Sequence, residues 1–545
     1  FMITLLLIWL DINIVVVIKN CDFYIKISRL SFMEEIMFKH SEYNLLETKK
    51  FIELTKSAML NTEDFEKWNS IKSMFGIYTE RNRGTYMLRP RFPAGLLNIE
   101  ELEYFVNICE IYGEGRVHLT TRQDIQIHGL SIQNLIIVLE LLLEKGYSSR
   151  SAGGHATRAI MTPPMSGFEE EIFDVTPYGD AITSFILENP DYMGLPRKYK
   201  IALSNNEKNS LTAKVSDLGL LAVEVNGIKG FKVYGAGGLG ANPKESIVLK
   251  EFLPKEDFLY AVEALKNLFI EHGDRENKAR ARIRFILQKF GRDEFIRLFE
   301  EHLNEVYRTK SLKVFLEDKK EFLEEDIEVE SIPNLFNGRI KGRYAYYLHP
   351  TNGDLSIKEA KILIEGLKKI PYNLELRISN TQGLFIRNLK GSSIEEFKNL
   401  VKDFSKNELE NSIACAGSTV CNLGILDSPD MLRTILNHFK DKKELSDHLP
   451  KLRISGCPNS CSAHHIGELG FWGKKKNGEP TYTLMSRGDF KGESIVLNKS
   501  IGEVKAIFLP NFLEDIALTL KEVQKSYEEY IKESPNFLEK LLSKY

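Results

Sequence analysis

Apolar and polar residues run through the same cycle twice along this chain. GTYMLRPRFPAGLLNIEELEYF begins at Gly84 and GRYAYYLHPTNGDLSIKEAKIL at Gly342, and LTTRQDIQIHGL (119–130) then lies over ISNTQGLFIRNL (378–389) without a gap. Each copy shows a short apolar stretch, a helical period and two more apolar stretches, which predicts a strand, a helix and a strand pair. The helix starts are marked alike: Asn98 with Glu101, and Ser356 with Glu359, place a capping side chain three positions before a glutamate that can reach back to the free N–H groups. A second amphipathic helix follows in both, SIQNLIIVLELLLEKG and SIEEFKNLVKDFSKN.

The segments after each copy echo one another more faintly, GLPRKYKIALS (194–204) against HLPKLRISGCPNSC (448–461). The organisation reads as A–B–A′–B′: 84–147, 148–330, 336–408 and 409–510, joined by the acidic stretch 317–334. A helical segment (33–83) precedes these units and a C-terminal helix (511–545) follows them. Such a duplication predicts an α+β body about a pseudo-twofold axis, with its site in the seam. The run HGDRENKARARIRF (272–285) reads as a solvated helix face with some arginines turned inward. The leading apolar run is interrupted by Asp11 and Asn13 and lacks the flanks of a secretion signal, so 1–32 is expected to be an extension outside the fold, non-native or unstructured.

Composition narrows the function. With 73 basic against 76 acidic residues the net charge is -3, which argues against general nucleic-acid binding, and any basic site must be local. Six cysteines in 545 residues are too few for a disulfide scaffold, and four of them (Cys415, Cys421, Cys457, Cys461) lie close together in sequence. This points to a metal or cluster site in a reducing, cytoplasmic setting. The C-x5-C spacing is wide for a zinc knuckle, and a C-x-x-C dithiol is absent. Four independent buried thiols remain an alternative. An iron–sulfur cube, which takes four thiolates, is the other.

ACAGSTVC followed by GCPNSC resembles the cysteine signature of the siroheme-containing sulfite and nitrite reductases, over about residues 70–510. The resemblance implies ferredoxin-like half domains and mixed-sheet siroheme and cluster domains. It also implies that Cys415, Cys421, Cys457 and Cys461 hold a [4Fe–4S] cluster, with Cys461 bridging to the siroheme iron. Pro458 stiffens the loop between the last two ligands. Arg89, Arg158, Lys198 and Lys200 are then expected around an oxyanion substrate, while Arg91 and Arg122 hold siroheme carboxylates or shape the pocket. In RKYKIAL the two lysines are two apart, so an extended backbone aims both at one face, as it does Arg89 and Arg91.

GAGGLG (235–240) fits the dinucleotide fingerprint, but Pro243 and a polar run follow where a helix should open. The resemblance instead sets the amides of Gly235, Gly237 and Gly238 near the haem edge. His128, His464 and His465 read as structural. The implied reaction is six-electron reduction of sulfite to sulfide, with nitrite to ammonia as the runner-up. Relatives that favour nitrite carry asparagine where this chain has Lys200, although CAGSTVCNLG matches neither subfamily's usual wording. No flavin or nicotinamide module is legible, so a ferredoxin or a flavoprotein must donate the electrons, and no membrane partner is expected. A cluster-bearing electron-transfer subunit without catalysis and a zinc-stabilised interaction protein are the readings from other classes.

Overall fold

A computed structural model describes residues 13–19, 22–28, 42–81, 83–316, 324–404, 407–491 and 494–545. Its architecture is α+β and internally duplicated, with two ferredoxin-like half domains and two mixed-sheet domains. In the first half the strand Tyr86–Leu88, the helix Ile99–Ile111, the strands Arg116–Leu119 and Ile125–Leu130 and the helix Ile132–Glu144 follow in the expected order. The second half repeats them as Arg343–Leu348, Ile357–Lys368, Glu375–Ile378, Leu384–Lys390 and Ile394–Val401. Both capping boxes form, at Asn98 with Glu101 and at Ser356 with Glu359.

The halves exchange strands. Leu96–Leu97 of the first half pairs antiparallel with Glu375–Ile378 of the second, while Asp354–Ser356 of the second pairs with Arg116–Leu119 of the first. Each five-stranded sheet therefore ends on a strand borrowed from the other copy. One apolar core spans both, including Leu102, Phe105 and Val117 from one half and Leu363, Ile364 and Leu376 from the other. Burial of a shared core makes the two copies one folding unit.

The B domain is a four-stranded sheet in the order Ile247–Pro254, Ile228–Gly235, Leu218–Val225, Ile201–Ser204, with only the last pair parallel. The B′ domain repeats this plan as Lys499–Lys505, Glu479–Ser486, Leu469–Lys476 and Leu452–Ser455, and adds Ile413–Ala414 in parallel. The two segments that echo in sequence thus hold the same place in their sheets.

Three sequence expectations need correcting. Residues 273–282 are not helical; Asp274 Oδ1 accepts from the amides of Glu276 (2.9 Å) and Asn277 (2.7 Å), a turn that displaces the helical ladder. The C-terminal segment forms three helices, Leu509–Val523, Tyr527–Glu533 and Phe537–Leu542, because Gln524 turns left-handed (φ 53°) and Ser526 caps a new start. In the leading stretch Asn13–Lys19 and Asp22–Ser28 form an antiparallel hairpin rather than lacking structure throughout, and the rest of 1–32 lies outside the described residues. Of the acidic connection, 317–323 also lies outside them. No helix among the described residues is long and apolar enough to cross a membrane.

The strand exchange rests on two equivalent glycines. Gly95 (φ +68°) and Gly353 (φ +75°) bring the chain against the carbonyls of Ile378 and Leu119 in the opposite half; a Cβ would sit 2.6 and 2.5 Å from those oxygens. Gly95→Ala and Gly353→Ala should each lower the melting temperature, since left-handed strain alone costs about 1–3 kcal/mol. Gly84→Ala, with φ +63° and nothing within 4 Å, is the comparison that isolates the clash in a thermal melt. Equal losses at all three positions would discount the close approach.

Candidate functional site

The four clustered cysteines occupy two loops at one end of the B′ sheet. Cys415 follows Ile413–Ala414 and extends its pairing, its amide donating to Ile454 O at 3.1 Å. Its sulfur receives the Gly456 amide at 3.2 Å and lies 3.0 Å from Ser428 Oγ. Cys421 ends the short helix Gly417–Val420. Cys457 and Cys461 lie in the loop after Leu452–Ser455, where Ser460 (φ 55°) and Ala463 (φ 60°) turn the backbone left-handed and Cys461 outward. The first half domain holds both loops: Asn422 Nδ2 donates to Thr79 O (2.8 Å), and Thr121 Oγ1 donates to Cys461 O (3.0 Å).

The thiols share one electrostatic neighbourhood. Burial, then the charge of Cys461, pushes Cys415 up to about 12 against the pull of the Gly456 amide and the Ser428 hydroxyl. Burial raises Cys457 as well, with Cys461 and Cys421 adding to it against the Asn459 amide. Four such thiolates are stable together only around a compensating cation. Among the described residues these cysteines are free and make no set of three sulfurs within 4.8 Å, the closeness one ion demands. The donor chemistry fits a multi-iron cluster better than zinc.

Facing Cys461 is a cationic basin. Tyr199 is fully buried, and its neighbours Lys198 and Lys200 project to the opposite side, as alternation requires. Neither ammonium has a hydrogen-bond or ion-pair partner among the described residues. Burial, then Arg282 and Arg158, brings Lys198 down to about 7, against the attraction of Cys461. Lys200 lies well below its ordinary value through burial and then Arg122, Lys198 and Arg282, opposed by Asp217. Burial also lowers Arg89, with Asp124, Tyr78 and Cys461 acting the other way. Arg158 donates to Ala152 O (2.9 Å) and Gly154 O (3.1 Å), beside Arg89. Arg89, Arg158, Lys198 and Lys200 therefore meet, with Cys461 at their edge.

The other residues singled out in the sequence differ in role. Arg91, 2% exposed, donates to Ser151 O (2.9 Å), Thr157 O (3.0 Å) and Arg158 O (3.0 Å), so it braces the loop carrying Arg158. Arg122 donates to Ala159 O, and its Nε is buried without a partner. The amides of Gly237 and Gly238 are committed to Ser216 O (2.9 Å) and Lys244 O (2.9 Å), and Gly235 pairs within its strand. The glycine loop is a hairpin leading into Ile247–Pro254 and opens no helix, in keeping with the rejection of the dinucleotide motif. What Gly238 supplies is room: a Cβ there would sit 2.7 Å from Arg284 Nη1. His465 Nε2 meets Gly240 O at 3.0 Å and His464 Nδ1 meets Ser455 Oγ at 2.9 Å, which are structural contacts.

Several contributors carry no sequence signal. Asp217, fully buried, takes two bonds from Arg282 (2.7 and 3.1 Å) and the Lys200 amide (2.8 Å). Asp124 lies among Arg89, Arg91 and Arg122. Glu80 Oε1 accepts from His128 Nδ1 at 2.7 Å, which fixes that proton and leaves Nε2 as an acceptor. Gln126 must then turn its amide nitrogen to His128 (3.2 Å) and its oxygen to Arg89 Nε (3.0 Å). The chain Glu80–His128–Gln126–Arg89 thus orients the arginine. Only its QIHG portion was visible, as part of the repeat.

Nine interacting cations (Arg89, Arg91, Arg122, Arg158, Arg197, Lys198, Lys200, Arg282, Arg284) stand against two carboxylates, Asp124 and Asp217. Uncompensated buried charge of this extent is costly. With the orphaned Nε atoms of Arg122 and Arg284, it fits a polycarboxylate group and a small anion. In the duplicate position the basin is closed. Tyr347 replaces Arg89, bonds Thr381 Oγ1 at 2.7 Å and packs under Lys451 (5.7 Å), and His349 is buried and neutral, lowered to about 3 chiefly by burial.

Comparison with known proteins gives a concordant result. The family model for the nitrite and sulphite reductase 4Fe-4S domain matches residues 153–307 and 405–530, more than half of the chain. The model for the nitrite/sulfite reductase ferredoxin-like half domain matches 78–145. An assimilatory ferredoxin-dependent nitrite reductase of Haloferax mediterranei is 26% identical over 460 residues, covering 76% of each chain. A sulfite reductase [NADPH] hemoprotein beta-component of Staphylococcus haemolyticus is 25% identical over 464 residues, covering 77% of this chain and 78% of that one. The solved structure of the Mycobacterium tuberculosis NirA protein shares the fold, with TM-score 0.70 and 19% identity over 85% of this chain and 89% of that one.

The Glu80 carboxyl is held at about 2 in the fold, against 4.5 ordinarily, because His128 and Thr85 donate to it despite its burial. A lowered carboxyl stabilises the fold above its unfolded value and loses that contribution as pH falls from about 4.5 towards 2. Glu80→Gln should therefore melt several degrees below the unaltered protein at pH 6, and the gap should narrow as the melts are repeated below pH 4.5. A gap that is constant with pH would detach Glu80 from this network.

Proposed function

Because the chain belongs to the nitrite and sulphite reductase family, we propose that it reduces sulfite to sulfide with six electrons from an external donor, a ferredoxin or a flavoprotein. The balance is SO3²⁻ + 6 e⁻ + 7 H⁺ → HS⁻ + 3 H2O. A [4Fe–4S] cluster and siroheme, when bound, supply electron storage and a reducing metal centre. Cys415, Cys421, Cys457 and Cys461 would hold the cluster, with Cys461 shared with the siroheme, and Arg122 and Arg284 would take carboxylates of the tetrapyrrole. Arg91 and the loop of Gly235, Gly237 and Gly238 shape the cavity around it.

The observation that carries the reading is the pair of lysines with no protein partner, in a basin that Cys461 borders. Arg89, Arg158, Lys198 and Lys200 bind the oxyanion by charge in a site shielded from water, and they favour added electron density on it. Lys198, brought down to about 7, can hold or release a proton at Nζ near neutral pH. Lys200 adds a second ammonium, which suits the sulfite dianion better than the nitrite monoanion. Leu423 (69% exposed) and Ile425 (39% exposed), beside Cys421, offer an apolar contact for the donor. Nitrite is the second reading, since relatives named for nitrite match this chain as well as those named for sulfite do.

The purified protein should show an intense Soret band and a band in the red, and Cys461→Ser should lose iron and both bands; a colourless, iron-free protein from cells able to make both groups would end the proposal. In steady-state assays with a reduced dye, Lys200→Asn should lower kcat/KM for sulfite about tenfold, a change of about 1.4 kcal/mol, and lower that for nitrite less. Equal losses would remove the preference for sulfite.

A further inference from the structure

A second cluster of metal-binding side chains stands away from the cysteines. Glu271 and His272 end the helix Phe258–His272, and His302 projects from the helix Arg292–Thr309 packed beside it. His272 Nε2 lies 3.5 Å from Glu271 Oε1, and His302 Nε2 lies 3.5 Å from Glu271 Oε2. All three ligand atoms fall within 4.8 Å of one another. We propose that Glu271, His272 and His302 form a binding site for a zinc-class divalent cation, separate from the iron centre.

The distances and the chemistry both point to an ion. Neither 3.5 Å approach closes as a hydrogen bond, and His272 Nε2 is shut off from water without a partner. An unpaired buried nitrogen is costly unless something binds it. Ligand bonds of about 2.0–2.1 Å to nitrogen and oxygen in a tetrahedron place the ligand atoms about 3.3 Å apart, close to the 3.5 Å that each imidazole keeps from one oxygen of the carboxylate. Two imidazoles with one carboxylate select zinc, nickel, cobalt or copper over magnesium or calcium, which prefer all-oxygen sites. Three protein ligands leave one position for water.

The surroundings support occupancy. Glu301 and Glu305 add negative potential at His302, which favours a cation there. The Phe290 ring stands edge-on to His272 at 5.3 Å and restricts its rotation. The ion would fasten the end of one helix to the middle of the other. Gly273, the next residue, packs on Pro196, whose side chain a Cβ there would meet at 2.6 Å. Arg275 donates to Gly194 O at 2.9 Å. The clamp therefore steadies the segment that runs into Lys198 and Lys200.

The test uses iron-loaded protein, dialysed with chelator, then given zinc and desalted, with zinc and iron counted per chain by mass spectrometry and stability read by thermal shift. The unaltered protein should retain one zinc and melt higher with it. Glu271→Ala and His302→Gln should each weaken zinc binding at least tenfold and abolish the shift, with iron content and zinc-free turnover unchanged. Glu271 is 61% exposed, so its variant decides the matter if His302→Gln misfolds. Equal zinc in the Glu271→Ala and unaltered proteins, or none in the unaltered protein, overturns the proposal.

Discussion

Unbalanced charge in the seam is the constraint from which the rest of the site follows. Arginines and lysines from five separate stretches of a nearly neutral chain converge on one basin, where two buried carboxylates oppose them. A protein interior tolerates this only if something anionic completes it. Beside the cations lie buried thiols whose ionisation their surroundings resist, so they become thiolates only with a positive partner. The two deficits have opposite sign and meet at Cys461. An anionic group on one side and a cationic one on the other would complete both, which suits a family named for its 4Fe-4S domain.

Duplication explains how such a site can be held. The exchanged strands and the shared core fix the two half domains as one body, so a loop from one copy can be pinned by the other. Thr121 holds the cysteine loop, and His465 holds the glycine loop of the opposite sheet domain. Symmetry of backbone does not impose symmetry of chemistry. Where one copy presents Arg89, the other places the Tyr347 ring over Gly383, against which a Cβ would lie 2.3 Å away, and the equivalent cavity is filled.

Much of this was legible in the sequence, for physical reasons that can be named. Capping boxes and repeated periodicity act over a few residues, so both half domains could be read directly. The alternation of Lys198 and Lys200 around Tyr199 likewise fixed their common direction. Contacts between distant segments left no such trace. Strand exchange depends on which edge is free once both halves have folded, and Asp217 becomes a counter-charge only when Arg282 reaches it. The stretch 272–285 misled because its charged residues have a helical spacing, while the Asp274 side chain captures the amides a helix would need. GAGGLG was set aside as a phosphate loop because no helix could open after it, but the partners its glycines answer to, Arg284 and Ser246, left no mark in the sequence.

The two lysines differ in how firmly their surroundings set them. The Lys200 backbone is tied to Asp217, which also fixes Arg282, so its ammonium is aimed by a network already complete within the B domain. Lys198 answers to Cys461, which arrives from the other sheet domain. A change in charge at that sulfur therefore acts on Lys198 before it acts on Lys200. More negative charge there raises the proton affinity of the nearer lysine. That coupling needs no moving part; it follows from opposite charges brought together where water cannot screen them.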